Sequence, residues 1–141
     1  MDYKFRCGCP FTSAIDILGD KWMLVIVKQI LVDGKETFKD FTESDEAIAT
    51  NILSTKLKIL EEMELITKSK LPNNKKTNIY RLTPKGLEIA PILVELALWS
   101  DNNLREVHPA LMSGEGMEML RKDKESFTSF LVNSYKEKVG L

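Results

Sequence analysis

Apolar positions recur with a helical period over most of this 141-residue chain, and the first part of the pattern predicts three helices. A short helix from Pro10 ends at Gly19, because proline suits a first turn and glycine a last one. Asp20 caps a second helix, Trp22 to about Val32, which is apolar nearly all round and is therefore expected in the core. Phe38 and Phe41 indicate a third helix over 38–42.

A fourth helix, about 49–63, has two distinct sides. At 100° per residue, one side collects the apolar residues Ile48, Ile52, Leu53, Leu57, Ile59, Leu60 and Met63. The other side is polar and rich in hydroxyl and amide groups: Thr50, Asn51, Ser54, Thr55 and Lys58. The pattern therefore predicts an amphipathic helix with an unusual outer face.

A hairpin and two further helices complete the pattern. Two strands, 65–71 and 77–82, flank a turn of proline, asparagine and lysine over 72–76. Thr83-Pro84 then begins a long helix, which Pro91 is expected to kink, and a last helix runs over about 115–136. The sequence thus predicts a mainly α fold with a small β-hairpin, in the order of a winged helix-turn-helix.

Composition limits the class of protein. The chain is 43% hydrophobic and 29% charged, so it can bury a core. It has no run of about 18 apolar residues and no secretory signal at its start, so neither a membrane span nor export is expected. Net charge is −1, yet one segment between Glu64 and Glu88 contains only basic charges. That segment indicates either a local phosphate contact or a solvated loop without a partner.

The polar face of the fourth helix has the side chains that a DNA major groove requires. Asn51 can pair bidentately with adenine, and short hydroxyl side chains such as Thr50 can approach base edges or phosphates closely. Lys58 suits a phosphate. The alternative is an ordinary solvent face, but threonine and serine are poor helix formers, so their choice here has a propensity cost. The predicted DNA contacts are Thr50, Asn51, Ser54, Thr55 and Lys58 in the helix, and Asn73, Asn74, Lys75, Lys76 and Arg81 in the hairpin.

Cys7 and Cys9 are too close together to staple a fold, and three interpretations stay open. Two such pairs across a dimer would supply four thiolates to a metal, although one pair alone is a weak zinc signal. Cys9 directly precedes a helix, whose positive end lowers a thiol pKa and favours a redox switch. In the third interpretation both thiols are inert.

Enzyme chemistry has little support. The only histidine, His108, lies between valine and proline, and the seven glycines form no phosphate-binding loop. We therefore expect no catalytic residues, no bound metal and no cofactor.

Several segments together carry a family resemblance. They are Cys9-Pro10, Asp16-Ile17-Leu18-Gly19-Asp20-Lys21-Trp22, Phe38 and Phe41, Ile52-Leu53 through Leu57, Leu60-Glu61, Leu65-Ile66, and Tyr80-Arg81-Leu82-Thr83-Pro84-Lys85-Gly86. In this order and spacing, over about residues 9–103, the chain resembles the HxlR-type bacterial winged-helix transcription regulators, which are related to MarR-type regulators.

The resemblance implies a homodimer that binds a pseudo-palindromic DNA operator. The expected location is the cytoplasm. The resemblance also implies that Cys9 can sense oxidants, quinones or aldehydes. Cys7 departs from the family pattern as an extra thiol that could resolve Cys9 within the chain or across the dimer. We expect a single winged-helix domain over 1–141, with an N-terminal arm (1–10), a winged-helix core (11–88) and dimerisation helices (89–141). The dimer is expected to be held by N- and C-terminal helices, with candidate contacts at Leu96, Trp99, Leu120, Phe127, Phe130 and Leu131.

Two departures from the family pattern bear on DNA binding. Thr37 stands where relatives often have arginine, so a backbone contact is expected to be missing. Glu43, Asp45 and Glu46 precede the fourth helix and would repel phosphate if they faced it. The alternative function is a winged helix that binds an acidic protein partner through its basic hairpin, without sequence-specific DNA binding.

Overall fold

The computed structural model describes residues 3–141, so the first two residues of the predicted N-terminal arm lie outside the described residues. Eight helices and two strands are found in the described part of the chain, which confirms the mainly α class with one hairpin. In chain order they are α1 (Pro10–Leu18), α2 (Met23–Leu31), α3 (Phe38–Thr42), α4 (Thr50–Glu62), β1 (Ile66–Leu71), β2 (Asn74–Leu82), α5 (Pro84–Leu87), α6 (Ala90–Asn103), α7 (Glu115–Lys122) and α8 (Lys124–Val139).

The chain divides into two compact units, Met1–Leu87 and Glu88–Leu141. The boundary falls one residue before the end of the winged-helix core predicted over 11–88. That residues 1–141 form a single domain, in which residues 89–141 provide the dimerisation helices, stays a prediction.

The core of the first unit is built from α2, α3, α4 and the base of the hairpin. α2 packs on β2, α3 on α4, and α4 on β1. Fully buried side chains come from each of these elements, namely Met23, Ile26, Val27, Ile30, Phe41, Leu53, Leu60 and Ile66. Phe41 also meets the ring of Tyr80 edge-on, with 6.2 Å between ring centroids. This core fixes the inner side of α4 and leaves its polar side in solvent.

Local capping groups fix where α2 and α3 begin. The Asp20 carboxylate accepts hydrogen bonds from the N–H groups of Trp22 (2.7 Å) and Met23 (2.8 Å). Thr37 and Asp40 form a reciprocal capping box at the start of α3. Thr37, which stands where relatives often have arginine, is therefore used to begin a helix.

The predicted turn of the hairpin is wrong in length. The strands pair antiparallel from Ile66 opposite Leu82 to Leu71 opposite Asn74, with an irregularity after Lys70. Only Pro72 and the residue after it connect them, so Asn74, Lys75 and Lys76 belong to β2. Turn-forming and basic residues predicted a loop, but backbone pairing at an exposed hairpin tolerates such side chains.

A glycine allows α5 to lie directly against the base of the hairpin. A Cβ atom at Gly86 would stand 2.1 Å from the carbonyl oxygen of Leu65, closer than any side chain permits. Thr83 completes the junction: its hydroxyl donates to the Glu64 carbonyl at 2.6 Å and accepts from the Gly86 N–H at 3.0 Å. Gly86 is therefore a steric requirement of this corner, and the Thr83 hydroxyl holds the corner by hydrogen bonds.

The single kinked helix predicted after Thr83 is two helices in the structure. α5 ends at Leu87 and α6 begins at Ala90. Pro91 stands in the first turn of α6, where a missing N–H breaks no helical hydrogen bond, so it starts a helix and does not kink one.

The single terminal helix predicted over 115–136 is likewise two helices, α7 and α8. Asp123 interrupts them with extended backbone and caps α8 by accepting from the N–H and hydroxyl of Ser126 at 3.1 and 2.7 Å. This capping pair was present in the sequence but was hidden within a continuous apolar stripe.

Asp101 of α6 ties the second unit together. It is only 8% exposed and accepts hydrogen bonds from Arg105, which follows the end of α6, and from Arg121 of α7, whose Nε and Nη2 both lie at 2.6 Å. These two guanidinium groups hold the pKa of Asp101 far below its usual range. The charge of Asp101 is thus fully paired despite its burial.

Candidate nucleic-acid interface

The outer face of α4 is as polar in the structure as in the sequence. Thr50, Asn51, Ser54, Thr55 and Lys58 are all exposed. The Thr55 hydroxyl donates to the Asn51 carbonyl at 3.0 Å and keeps its lone pairs free for a donor. A row of short hydrogen-bonding side chains is thereby presented along one side of a well-anchored helix.

The acidic loop before α4 does not present its three acids alike. Glu46 lies inward, with its carboxylate 2.7 Å from the Lys28 ammonium group, whereas Asp45 is exposed. Glu43 is exposed and lies 3.9 Å from Lys39. The expected repulsion of phosphate therefore concerns Asp45 and Glu43 more than Glu46.

The hairpin supplies a second group of cations. Lys70, Lys75 and Lys76 are exposed, and no carboxylate of the described residues lies within 4 Å of their ammonium groups. Asn74 uses its side chain locally, accepting from the Lys76 N–H and donating to Thr77. Unpaired lysines at this end of the hairpin are available to an anionic partner.

Arg81 differs from the other predicted DNA contacts. It lies at the foot of the hairpin opposite Thr67, is half-buried, and its Nε atom has no hydrogen-bond partner among residues 3–141. Its contact with DNA stays a prediction, and its position is the least favourable of the set.

A groove of about 1020 Å³ lies between α3, α4 and the hairpin. It joins part of both predicted contact groups, because Thr50, Ser54 and Lys58 form one side and Lys76 lies on the hairpin side. Its lining includes further polar and basic residues that the sequence pattern did not indicate, namely Thr37, Lys39, Thr42, Lys68, Thr77 and Asn78. Two acids, Glu61 and Glu62, line it as well. Asn51, Thr55, Asn73, Asn74, Lys75 and Arg81 lie outside this lining.

The additional lysines had only a weak signal in the sequence. Lys68 belongs to the basic segment already noted, but Lys39 is separated from it by almost thirty positions. Only the packing of α3 on α4 brings Lys39 to the same groove.

The cysteine arm is held against α1 by an ion pair. Arg6 donates to the Asp16 carboxylate from its backbone N–H at 3.1 Å and its Nε at 2.6 Å. Cys7 and Cys9 are both exposed free thiols. Hydrogen bonding from the backbone and side chain of Thr12 lowers the pKa of Cys9. The Cys9 side chain forms no regular capping hydrogen bond with α1. Among residues 3–141, no three Cys, His, Asp or Glu side chains gather to hold a metal ion.

The second unit exposes an apolar surface on α6. Trp99 is 58% exposed and Leu96 47% exposed, and both line a groove of about 760 Å³. Phe130 is also exposed, and Phe127 and Leu131 are half-buried. Leu120 was expected at a dimer interface, but it is only 2% exposed and packs inside the protomer, so that prediction is wrong.

Every helix in residues 3–141 is too short or too polar to cross a bilayer.

The chain is similar in sequence to known transcription regulators. The family model described as HxlR-like helix-turn-helix matches residues 17–108. The HTH-type transcriptional regulator YodB of Bacillus subtilis is 35% identical over 94 residues, which cover 66% of this chain and 83% of YodB. The match leaves α7 and α8 outside the family model.

Solved structures agree with this match. The structure of PA1607, described as a putative transcription factor, has a TM-score of 0.63 at 30% identity and covers 70% of this chain and 67% of its own. The quinone-bound structure of YodB from B. subtilis has a TM-score of 0.55 at 33% identity and covers 67% and 99%. The prediction of a winged-helix transcription regulator is confirmed, and the chain belongs to the HxlR-like helix-turn-helix family.

Proposed function

We propose that this regulator binds a pseudo-palindromic DNA operator as a homodimer, with α4 of each protomer in a major groove. The hairpin would lie on the neighbouring sugar-phosphate backbone. In a two-fold dimer the two half-sites are then about 10 bp apart, one turn of the double helix.

The groove between α4 and the hairpin supports this proposal best. Its α4 side has the hydroxyl groups of Thr50 and Ser54, which suit base edges and phosphates, and its hairpin side has the unpaired cation Lys76. Lys39 and Lys68 lie on the same lining, each 3.9 Å from a carboxylate, and the lining keeps more lysines than glutamates. A strand of DNA in this groove would meet hydrogen-bonding groups and cations together, as specific binding requires.

A salt titration tests the DNA proposal. The logarithm of the affinity for a duplex enriched from a random-sequence pool should fall linearly with the logarithm of the salt concentration. Lys76→Ala should make the slope shallower by about 0.9 if the Lys76 ammonium group neutralises one phosphate. The same substitution at Lys122, an exposed lysine of α7, is the control. A wild-type protein that prefers no duplex over random DNA would contradict the proposal and favour the protein-interaction alternative.

We also propose that Cys9 responds to an oxidant or a small electrophile. The lowered pKa of Cys9 raises the fraction of thiolate, which is the reactive form of cysteine, and the thiol is exposed. The relative YodB has been solved with quinone bound. Attachment at Cys9 would disturb the start of α1, because Cys9 is the residue that precedes its first turn.

Two single variants test the thiol proposal. Cys9→Ser should abolish the loss of operator binding on treatment with a quinone or with diamide, and Cys7→Ser should retain part of it. An unchanged response in Cys9→Ser would transfer the role to Cys7 or to an effector that does not react with thiols.

Two further parts of the proposal concern assembly and location. The exposed apolar side chains of α6, chiefly Leu96 and Trp99, are proposed to form the dimer contact with the terminal helices. Because the partner is chromosomal DNA, we place the protein in the cytoplasm.

A further inference from the structure

The loop between α3 and α4 is tied to α2 by a network of polar side chains. Lys28 donates to Glu46 and to Asp33, each at 2.7 Å. Gln29 donates from Nε2 to the second Glu46 oxygen at 3.0 Å and to the Ser44 hydroxyl at 2.8 Å. Both oxygens of the Glu46 carboxylate are therefore held by neighbouring residues of α2.

The network reaches into the core through Gln29, whereas the side chains of Lys28 and Glu46 are 36% and 29% exposed. Gln29 has no exposed surface, and its Oε1 atom has no hydrogen-bond partner among residues 3–141. The Ser44 hydroxyl accepts from Gln29 and donates its own proton to the Phe41 carbonyl at 2.7 Å. The Lys28 hydrogen bond holds the pKa of Glu46 below its ordinary range. Burying an amide for these contacts has a cost that a mere surface loop would not require.

α4 itself lacks the usual means of fixing its first turn. Its N-cap residue is Ala49, whose side chain can form no capping hydrogen bond. Two residues earlier, Ala47 has φ of 55°, a left-handed conformation that is unfavourable for alanine. The start of α4 therefore depends on the anchoring of the loop before it.

We propose that Glu46 is a positioning residue for DNA recognition, which sets the start of α4 through Lys28 and Gln29. The proposal rests on the proposed function, because it concerns the same face of α4. Glu46 itself would touch no DNA. It holds the loop so that Thr50 and Asn51 meet the base edges in a fixed position.

The alternative role for Glu46, repulsion of phosphate, predicts a change in DNA affinity of the opposite sign. If Glu46 repelled phosphate, Glu46→Gln would tighten binding and steepen the dependence on salt. If Glu46 positions α4, the same variant loses one hydrogen bond, since the new amide nitrogen faces a donor. Affinity for the selected duplex should then fall by about tenfold, the usual scale for a charge-assisted hydrogen bond. Affinity for random duplex and the salt slope should stay unchanged.

The adjacent exposed acid provides a matched control. Asp45→Asn removes the same charge one residue away without touching the network, so it should bind the selected duplex as tightly as the wild type or more tightly. Both variants are compared by anisotropy titration against the enriched duplex and against random duplex. Equal losses on both duplexes, a change of less than twofold, or tighter binding by Glu46→Gln would each overturn the proposal.

A double-mutant cycle separates positioning from a general loss of stability. Lys28→Met should weaken specific binding in the same way, and the combination with Glu46→Gln should cost less than the sum of the two, because both remove the same ion pair. Amide hydrogen exchange over residues 47–53 should quicken in Glu46→Gln and stay unchanged in Asp45→Asn, while the core amides of α2 are unaffected. Additive effects, or exchange unchanged at the start of α4, would contradict the proposal. If the wild-type protein selects no duplex from the pool, the proposed function fails. The hydrogen-exchange result over residues 47–53 would still test whether Glu46 anchors the start of α4.

Discussion

Helices α4 and α6 have nearly the same length, thirteen and fourteen residues, but present opposite kinds of surface. α4 exposes hydroxyl, amide and ammonium groups, whereas α6 exposes Ile92, Leu96 and Trp99. Both helices bury their other side. The difference indicates two kinds of partner, because short polar side chains suit base edges and a large exposed apolar patch suits another protein surface.

The largest effect is expected from charging the apolar side of α6. Trp99→Asp should weaken dimerisation by about 2–4 kcal/mol, the range of a central aromatic contact at an interface. Sedimentation equilibrium measures the change, and Leu96→Asp provides a second variant. Thr55→Asp, the corresponding change on α4, should leave the dimer intact. A dimer unaffected by Trp99→Asp would place the interface elsewhere.

Removing one amide from α4 should have the next largest effect. Asn51→Ala should cost about 1–3 kcal/mol in binding to the enriched duplex, the value of one bidentate base contact, and little in binding to random duplex. Asn102→Ala makes the identical change on the exposed part of α6 and serves as the control. Comparable losses in both variants would mean that the two helix faces are not specialised for different partners.

The ion pairs that anchor α6 should show in the acid stability of the protein. The pKa of Asp101 is lowered in the folded state, so its contribution is complete above the unfolded value near 3.9 and is lost as pH falls further. Asp101→Asn should lower the thermal midpoint by several degrees between pH 5 and 7, and the difference from wild type should shrink below about pH 4.

A neighbouring ion pair provides the comparison for Asp101. Glu95→Gln removes an exposed pair with Lys124 on the same unit, and it should change the midpoint much less. If the Asp101→Asn difference kept its full size in acid, its cause would be packing and not charge.

The smallest expected effect is a change in the free energy of unfolding from substitutions at the end of α4. The N–H groups of Glu64 and Leu65 donate to the carbonyls of Glu61 and Leu60 at 3.0 and 2.9 Å, a Schellman motif with Glu64 in the left-handed position at φ of 60°. Glu64→Gly should raise the free energy of unfolding by up to about 1 kcal/mol. Glu62→Gly, at the last position of the helix, should lower it by less than about 1 kcal/mol. Urea denaturation distinguishes the two signs.

The sequence was sufficient where one local pattern determined the structure. α3 was predicted at 38–42 and occupies those residues, and α4 was predicted to within one residue at each end, because apolar period and packing agree there. The breaks at Ile89 and Asp123 were missed, since a continuing apolar stripe concealed the signals that end one helix and begin the next. Local propensity also misplaced Lys75 and Lys76, whose position is decided by strand pairing.

The functional surface was predictable to a different extent. The α4 face follows from helical geometry alone, so its five residues could be named from the sequence. The opposite directions of Glu46 and Asp45 could not, because they depend on Lys28 and Gln29, seventeen or more positions earlier in the chain. The same limit applies to Leu120, whose burial is set by helices that the sequence pattern had merged.

The hairpin has a consequence for the protein when no DNA is present. β1 has only β2 as a neighbouring strand within residues 3–141, so its other edge can pair with a strand from another chain. Lys68 and Lys70 stand on that edge strand, and charged side chains there discourage such pairing. Lysines suited to a phosphate backbone would thus also act against aggregation, and variants that neutralise several of them should become less soluble as well as weaker in binding.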